Sequence, residues 1–321
     1  MKIVFFGTPE FAVASLDAIL KAGYYVEAVV TTPDRIGGRG NKVIESDVKK
    51  FAKEKGLPVL QPERLRDTGF IEQLRSYEAD LFIVIAFRML PELVWKIPRL
   101  GTFNLHASLL PQLRGAAPIN YAIMSGFKQT GVTTFLINQE IDKGEILLSA
   151  NTPISDEDDA GSLHDRLMKM GAKLVLQTIQ GLENGDLIPS PQPQADYFTS
   201  APKIFKADCE IDFSFPAKTI ALKIRGLSPY PGAWGKLVLA DGKEIEVKVL
   251  KVKLHYDTLA AVPGTCIYKD KKFLVATGEG AIEILELQPA GKKSMEARAF
   301  MAGYSADRFI TKIVDADTDI N

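Results

Sequence analysis

The stretch that most constrains the fold is Ala79 to Phe87, ADLFIVIAF. After Asp80 it is apolar without a break, from Leu81 to Phe87, lacking the alternation of a strand with one wet face. It therefore predicts a central strand covered on both sides, as in a parallel sheet wrapped by crossover helices. The N-terminus supplies such a crossover. Lys2 to Phe6 reads as a buried strand, broken by Gly7-Thr8-Pro9. Thr8 can cap a helix there and Pro9 suits its first turn. Phe11, Ala14, Leu16, Ala18 and Ile19 then form an apolar stripe up to Gly23, and Val26 to Thr31 is a second strand. Strand, helix and strand in about 30 residues make a βαβ unit with a right-handed crossover. Gly7 stands without the further glycines of a dinucleotide fingerprint, which demotes a nicotinamide-dependent oxidoreductase.

The pattern continues. Val48 to Lys55, Arg64 to Tyr77, Ile119 to Ser125 and Ala160 to Gln180 read as helices, and Leu57–Leu60, Gly131–Ile137 and Ile146–Leu148 as strands. From Asp186 to Pro202 a polar run carries Pro189, Pro191, Pro193 and Pro202, which predicts an extended linker. The expected division is thus a catalytic domain at 1–185, a linker at 186–202 and a second domain at 203–321. In the second domain a helix is expected over Pro216 to Arg225. Short alternating segments follow at Lys236–Leu239, Glu244–Leu254, Gly264–Tyr268, Phe273–Thr277 and Ile282–Leu287, separated by turn residues. That rhythm predicts a small antiparallel barrel or sandwich, an OB-like barrel among the candidates.

With 321 residues the chain has ample length for two cores. A net charge of -1 gives no global attraction to polyanions or membranes. No apolar run approaches a membrane span, and the N-terminus enters a strand at once rather than a secretory signal. The cytoplasm is the expected address. Two cysteines, Cys209 and Cys266, are too few for a disulfide framework and read as inert thiols. No metal requirement is visible.

The chemistry gathers in Thr102 to Asn120, TFNLHASLLPQLRGAAPIN. Asn104 and His106 are two apart, so a strand presents both on one face. They are either a catalytic edge or a hydrogen-bonded core pair. Of the three histidines (His106, His164, His255), only His106 has an amide on its face and a glycine turn after it. Asp142 lies in a turn, EIDKG, where it either orients a histidine or stabilises the turn itself. Imidazole can shuttle a proton near neutral pH, an amide can donate to an oxyanion, and a carboxylate can stabilise an imidazolium. Without a nucleophile in an elbow motif, that set suits direct acyl transfer. The Gly-rich run TPDRIGGRGNK, Thr32 to Lys42, carries Arg35, Arg39 and Lys42. It is either a solvated loop or one that orders on a phosphate backbone.

NLHASLLPQLRGAAPINYAI resembles the central motif of the folate-dependent formyltransferases. FFGTPEFA, DRIGGRGNK, RGLSPYPGAW and LQPAGKK extend the resemblance over almost the whole chain, toward members that act on aminoacylated tRNA. The resemblance implies an α/β, Rossmann-like, mostly parallel N-terminal sheet and a smaller C-terminal OB-like β-barrel. It implies transfer of the formyl group of 10-formyltetrahydrofolate to the amine of methionine on initiator Met-tRNA, without a metal. It makes Asn104, His106 and Asp142 the catalytic residues, and Ser108, Leu109, Leu110 and Pro111 the folate-binding segment. Phe82, Ile85 and Phe87 become candidate pterin neighbours. Arg35, Arg39 and Lys42 become contacts to the tRNA acceptor end. Lys203, Lys206, Lys218, Lys223, Arg225, Lys292 and Lys293 become candidate phosphate contacts. A monomer is expected. The sequence departs from the family pattern at Ile36-Gly37, Gln112-Leu113, Asn120-Tyr121 and Lys143. Formylation of a small amine, hydrolysis of the formyl-folate, and tRNA binding without catalysis are the rival readings.

Overall fold

A computed structural model describes residues 1–37, 42–194, 197–255 and 259–310. Its contacts divide into two compact units. The first comprises Met1–Pro118, Gln129–Pro153 and Leu163–Pro202. The second comprises Ile119–Lys128, Ile154–Ser162 and the chain from Lys203 onward.

In chain order the elements up to the boundary are β1 (Lys2–Gly7), α1 (Glu10–Lys21), β2 (Tyr25–Val30), β3 (Arg35–Gly37), β4 (Lys42–Ile44), α2 (Asp47–Glu54), β5 (Val59–Leu60), α3 (Thr68–Ser76), β6 (Leu81–Ile85), α4 (Glu92–Trp95), β7 (Thr102–His106), α5 (Pro118–Met124), β8 (Gln129–Leu136), β9 (Ile146–Pro153) and α6 (Ala160–Asn184). Seven strands form one sheet in the order β5-β2-β1-β6-β7-β8-β9. The first five run parallel, and β8 and β9 add antiparallel pairs at the edge. This is the expected Rossmann-like, mostly parallel arrangement. All five residues of β6 are buried, as the apolar run required. That strand is shorter than the run because Ala86 takes a left-handed φ of 47° and turns the chain out of the sheet. From β1 the chain winds outward through β2 and β5, then returns to β6 and winds the other way. The crevice at the carboxyl ends beside that reversal is where such sheets bind ligands, and β7 ends on the same edge of the sheet.

Several boundaries moved for local reasons. Pro9, not Thr8, is the N-cap of α1, with its carbonyl accepting from Ala12 N at 3.0 Å. Helix α3 begins at Thr68 rather than Arg64, because the Asp67 carboxylate caps Phe70 N at 3.0 Å. The basic run is partly structured. Arg35 lies on β3 opposite Ile44, and Lys42 lies on β4 opposite Gly37, so the two make a short antiparallel ribbon. Arg39 lies outside the described residues. The proline-rich run is extended, and it is also fastened to the first unit. Ser190 and Ile146 exchange both backbone hydrogen bonds, Leu113 N donates to Thr199 O at 2.7 Å, and Ala201 N donates to Arg114 O at 2.8 Å. Its non-proline residues keep the donors and acceptors that composition alone does not assign.

In the second unit, α7 (Ala217–Leu227) precedes β10 (Ala233–Leu239), β11 (Glu244–His255), β12 (Cys266–Lys269), β13 (Lys272–Ala276), β14 (Ala281–Pro289), β15 (Met295–Glu296), α8 (Ala297–Gly303) and β16 (Ala306–Phe309). The strand order is β12-β13-β14-β11-β10-β16, with β15 on β14. A bridge between Thr265 and Arg308 and a bond from Phe309 N to Gly264 O at 2.8 Å bring the two ends together. The result is a nearly closed antiparallel barrel. Phe213, Phe273, Phe300 and Phe309 fill its core. β15, α8 and β16 were illegible because they are short and expose most of their side chains; only Ala297, Phe300 and Phe309 among them are buried.

Candidate active site

Strand β7 buries Phe103 and Leu105 on one face and turns Asn104 and His106 to the other. The antiparallel register with β8 sets Asn104 opposite Phe135 and His106 opposite Thr133. Thr133 is fully buried, and its hydroxyl ties down the turn that follows β7. It donates to Ser108 O at 2.7 Å and accepts from Leu110 N at 3.3 Å. Ser108 Oγ in turn donates to Gln112 O at 2.6 Å. Leu110 is buried and Leu109 half-buried. Of the SLLP segment, therefore, the Ser108 hydroxyl and the Leu110 side chain are spent on the turn itself.

The turn then bends back over His106. Leu113 adopts a φ of 61°, and its carbonyl lies 2.8 Å from His106 Nε2. A carbonyl oxygen can only accept, so Nε2 carries the hydrogen of that bond and the neutral ring keeps its lone pair on Nδ1. Nδ1 faces Asp142 Oδ2 at 3.9 Å. The two residues that the sequence set 36 positions apart are thus brought together, at a separation longer than a hydrogen bond. Asp142 sits in the left-handed region with a φ of 54°. Its Oδ2 accepts from Gly115 N at 2.9 Å. Gly115 has a φ of 126°, and a Cβ there would stand 2.3 Å from Ala201 O, so no side chain fits.

Two further residues converge on the Asp142 turn. Gln192 Nε2 donates to Asp142 O at 2.8 Å and to Gly144 O at 2.9 Å. Gln192 Oε1 accepts from Arg114 Nη2 at 2.5 Å and Nε at 3.2 Å, and Arg114 Nε also reaches Asp142 O at 3.1 Å. The Arg114 guanidinium stacks over Phe198 with 4.8 Å to the ring centroid. Sequence reasoning singled out neither Gln192 nor Thr133. A glutamine in a polar proline-rich run carries no signal of its own. Lys143, adjacent to Asp142, is engaged by Glu140 instead, and its ammonium holds the Glu140 carboxyl below the usual range.

Other expected residues fall elsewhere. Phe82 is fully buried in the sheet core against Phe6, 5.2 Å between centroids, and Phe87 packs against the same ring. Phe82 therefore fills the core rather than facing a ligand. Arg35 and Lys42 are exposed on the β3–β4 ribbon. The ribbon's base is braced by ion pairs from Lys49 to Asp34 at 2.5 Å and to Glu45 at 3.1 Å. Bonds from Lys49 and Gln61 hold the Asp34 carboxyl below the usual range. In the second unit Lys223 is partly buried and donates to Glu210 O at 2.6 Å, and burial lowers its ammonium pKa. Arg225 donates to Asp158 O at 2.9 Å and Ser155 O at 2.7 Å. Both are anchored to their own unit instead of being presented for phosphates. Lys206 pairs with Glu246 and lies over the Trp234 ring. Among the described residues no group of three His, Cys, Asp or Glu is disposed to hold a metal, and no helix is long and apolar enough to cross a membrane.

Residues 1–179 match the formyl transferase family model, and residues 203–305 match the model of the formyl transferase C-terminal domain. The methionyl-tRNA formyltransferase of Bacteroides thetaiotaomicron is 46% identical over 308 residues, covering 95% of this chain and 96% of the relative. That of Parabacteroides distasonis is 48% identical over 310 residues, with 95% and 96% covered. Among solved structures, HypX of Aquifex aeolicus in complex with tetrahydrofolic acid aligns with a TM-score of 0.63 at 20% identity, over 94% of this chain and 47% of that one. This chain thus spans about half the length of HypX. The sugar 3N-formyl transferase WlaRD aligns with a TM-score of 0.62 at 20% identity, over 91% and 99% of the two chains. At such identities these two structures speak for the fold.

Proposed function

Because this chain belongs to the formyl transferase family, among the methionyl-tRNA formyltransferases, we propose that it moves the formyl group of 10-formyltetrahydrofolate to the α-amine of methionine carried by initiator tRNA. The observation that carries the chemistry is the approach of Asp142 to His106 Nδ1 on the face that also bears Asn104. The amine nitrogen attacks the formyl carbon. Nδ1 of His106 takes the proton the nitrogen sheds. Nε2 is already committed to Leu113 O, so that carbonyl, and not Asp142, sets the tautomer. Asp142 acts when Nδ1 is protonated, as the counter-charge to the imidazolium. Asn104 donates to the oxyanion of the tetrahedral intermediate, an effect of about 3–4 kcal/mol where such donors have been removed. Collapse breaks the bond from the formyl carbon to the folate nitrogen, which leaves with the proton returned by His106.

The turn Ser108–Pro111 shapes the folate site through its backbone, pinned by Thr133, with Leu109 the more open of its side chains. Arg35, Arg39 and Lys42 meet the acceptor end of the tRNA, and the barrel meets the tRNA body. No metal takes part. The enzyme works as a monomer in the cytoplasm.

The test is to incubate the pure protein with 10-formyltetrahydrofolate and Met-tRNA and assay N-formylmethionine, with His106→Ala in parallel. Formylation should occur, and the variant should lose about 10²–10⁴-fold in rate. Turnover of a ribonucleotide amine or of water in place of Met-tRNA would overturn the acceptor, and an undiminished variant would remove His106 from proton transfer.

A further inference from the structure

We propose that Gln192 is a positioning residue for catalysis: with Arg114 it forms a latch that sets the Asp142 carboxylate against His106. The inference rests on the catalytic reading of Asp142 given above.

Asp142 occupies a left-handed conformation that costs an L-residue free energy unless its surroundings impose it. Those surroundings can be named. On one side, the turn rests on the end of β8. A Cβ on Gly144 would lie 1.6 Å from Leu136 O, so the backbone is in direct contact there. On the other side, Gln192 Nε2 spans the turn, donating to the carbonyls of both Asp142 and Gly144. The Asp142 carbonyl also receives Arg114 Nε. These bonds fix the peptide plane on which the carboxylate is mounted, and Gly115 N fixes the carboxylate itself.

The latch is itself held in place. Gln192 Oε1 receives two N–H groups of the Arg114 guanidinium, which sets the amide with its nitrogen toward the turn. Arg114 is stacked on Phe198, and its carbonyl accepts Ala201 N. Gln192, Phe198 and Ala201 all belong to the proline-rich run. That run therefore does more than connect domains. It lies along the loop from Gln112 to Ala117 and supplies, in Gln192, a side chain that bridges the Asp142 turn. Neither Gln192 nor Arg114 reaches His106, so their effect on the chemistry passes through Asp142. Displacement of a catalytic group by about 1 Å can cost about 10²-fold in rate.

The test compares Gln192→Ala, Asp142→Asn and the double variant in the full chain, by steady-state formylation of Met-tRNA and by thermal melting. Gln192→Ala should lower kcat by about ten- to a hundredfold, with KM for tRNA and for folate held within about twofold. In the Asp142→Asn background the same change should have no further effect, since the group it positions is gone. Gln192→Glu and Arg114→Lys give a second route if the alanine variant fails to fold. The first keeps the pair with Arg114 but loses both donors to the turn, and the second keeps the charge but loses the fork; each should lower kcat. An Asp142→Asn enzyme as fast as wild type would sink the catalytic reading. A slow Asp142→Asn enzyme beside a wild-type-like Gln192→Ala, or losses that add in the double variant, would sink the latch alone.

Discussion

Thr133→Val is the sharpest probe of how the Ser108–Pro111 turn, the proposed folate segment, is held. Valine matches threonine in shape, so the change leaves no cavity, and Thr133 is fully buried, so water does not replace what is lost. What is lost is the acceptor of Leu110 N and of Ser149 Oγ, both at 3.3 Å, and the donor to Ser108 O at 2.7 Å; Ser149 is exposed and finds water, so the two turn groups decide the cost. A buried polar group left without a partner costs about 1–3 kcal/mol. The Ser108 contact is short and should account for the larger share. Together they should cost about 2–4 kcal/mol. For a unit of this size that lowers the melting temperature by about 4–16 °C. Because the buried groups that are freed, Ser108 O and Leu110 N, belong to the SLLP turn, KM for the folate should rise while KM for Met-tRNA stays put. Thr133→Ser keeps the hydroxyl and should restore the folate KM. Differential scanning calorimetry, read on the transition of the first unit, and initial-rate kinetics measure both effects. A valine variant that melts within about 1 °C of wild type, or that raises both KM values equally, would refute the reasoning.

Two other perturbations test separate parts of the molecule. Asp80 accepts Lys2 N and Arg99 Nε, both at 2.8 Å, and these donors hold its carboxyl below the usual aspartate range, the Lys2 backbone bond most of all. A folded-state pKa below the unfolded one adds stability above the unfolded value and loses it as pH falls through the folded one. Asp80→Asn should therefore cost about 1 kcal/mol near neutrality, and the gap in urea midpoint should close on acidification below the ordinary aspartate pKa; a gap independent of pH would exclude the ion. Burial raises both thiols, Cys266 up to about 12. Cys209 is buried and Cys266 half-buried, so the native protein should react slowly with a thiol reagent at neutral pH and yield both thiols in denaturant, whereas fast native labelling of Cys209 would contradict its burial.

The sequence disclosed the strongly patterned parts. The unbroken run in β6 required cover on both faces, and the opening βαβ unit required a parallel sheet. The barrel was foreshadowed by alternation in β11 and β14, each with a buried face, and by the short apolar run of β13, buried from Phe273 to Ala276. The elements it withheld carry little pattern. The β3–β4 ribbon is three residues a side with Ile36, Val43 and Ile44 exposed, so no buried face marked it. α8 is a seven-residue helix after a polar turn. For the site, Asn104 and His106 were legible because strand periodicity alone puts them together. The distance from Asp142 to His106 was not, because it depends on a sheet neighbour and a turn. Gln192 was invisible because its partners, Asp142, Gly144 and Arg114, are set by tertiary contacts across some 50 to 80 positions.

The departures from the family pattern follow the same division. Gln112 Oε1 accepts from Thr199 N at 2.9 Å, which ties the loop after β7 to the proline-rich run. Asn120 Nδ2 donates to Gly226 O at 2.7 Å, which joins α5 to α7 within the second unit. Lys143 is taken up by Glu140. These three side chains thus each satisfy a local polar group, and none of them stands at Asn104, His106 or Asp142 or donates to the Asp142 turn. Variation should be tolerated where a backbone group needs some partner and several side chains can supply one. It should be far less tolerated at Gly115 and Gly144, where a Cβ would stand 2.3 Å and 1.6 Å from a carbonyl oxygen. The residues that shape the site are thus of two kinds. Those with distinctive chemistry can be found by type, whereas those with distinctive geometry emerge only when the segments that crowd them are in place.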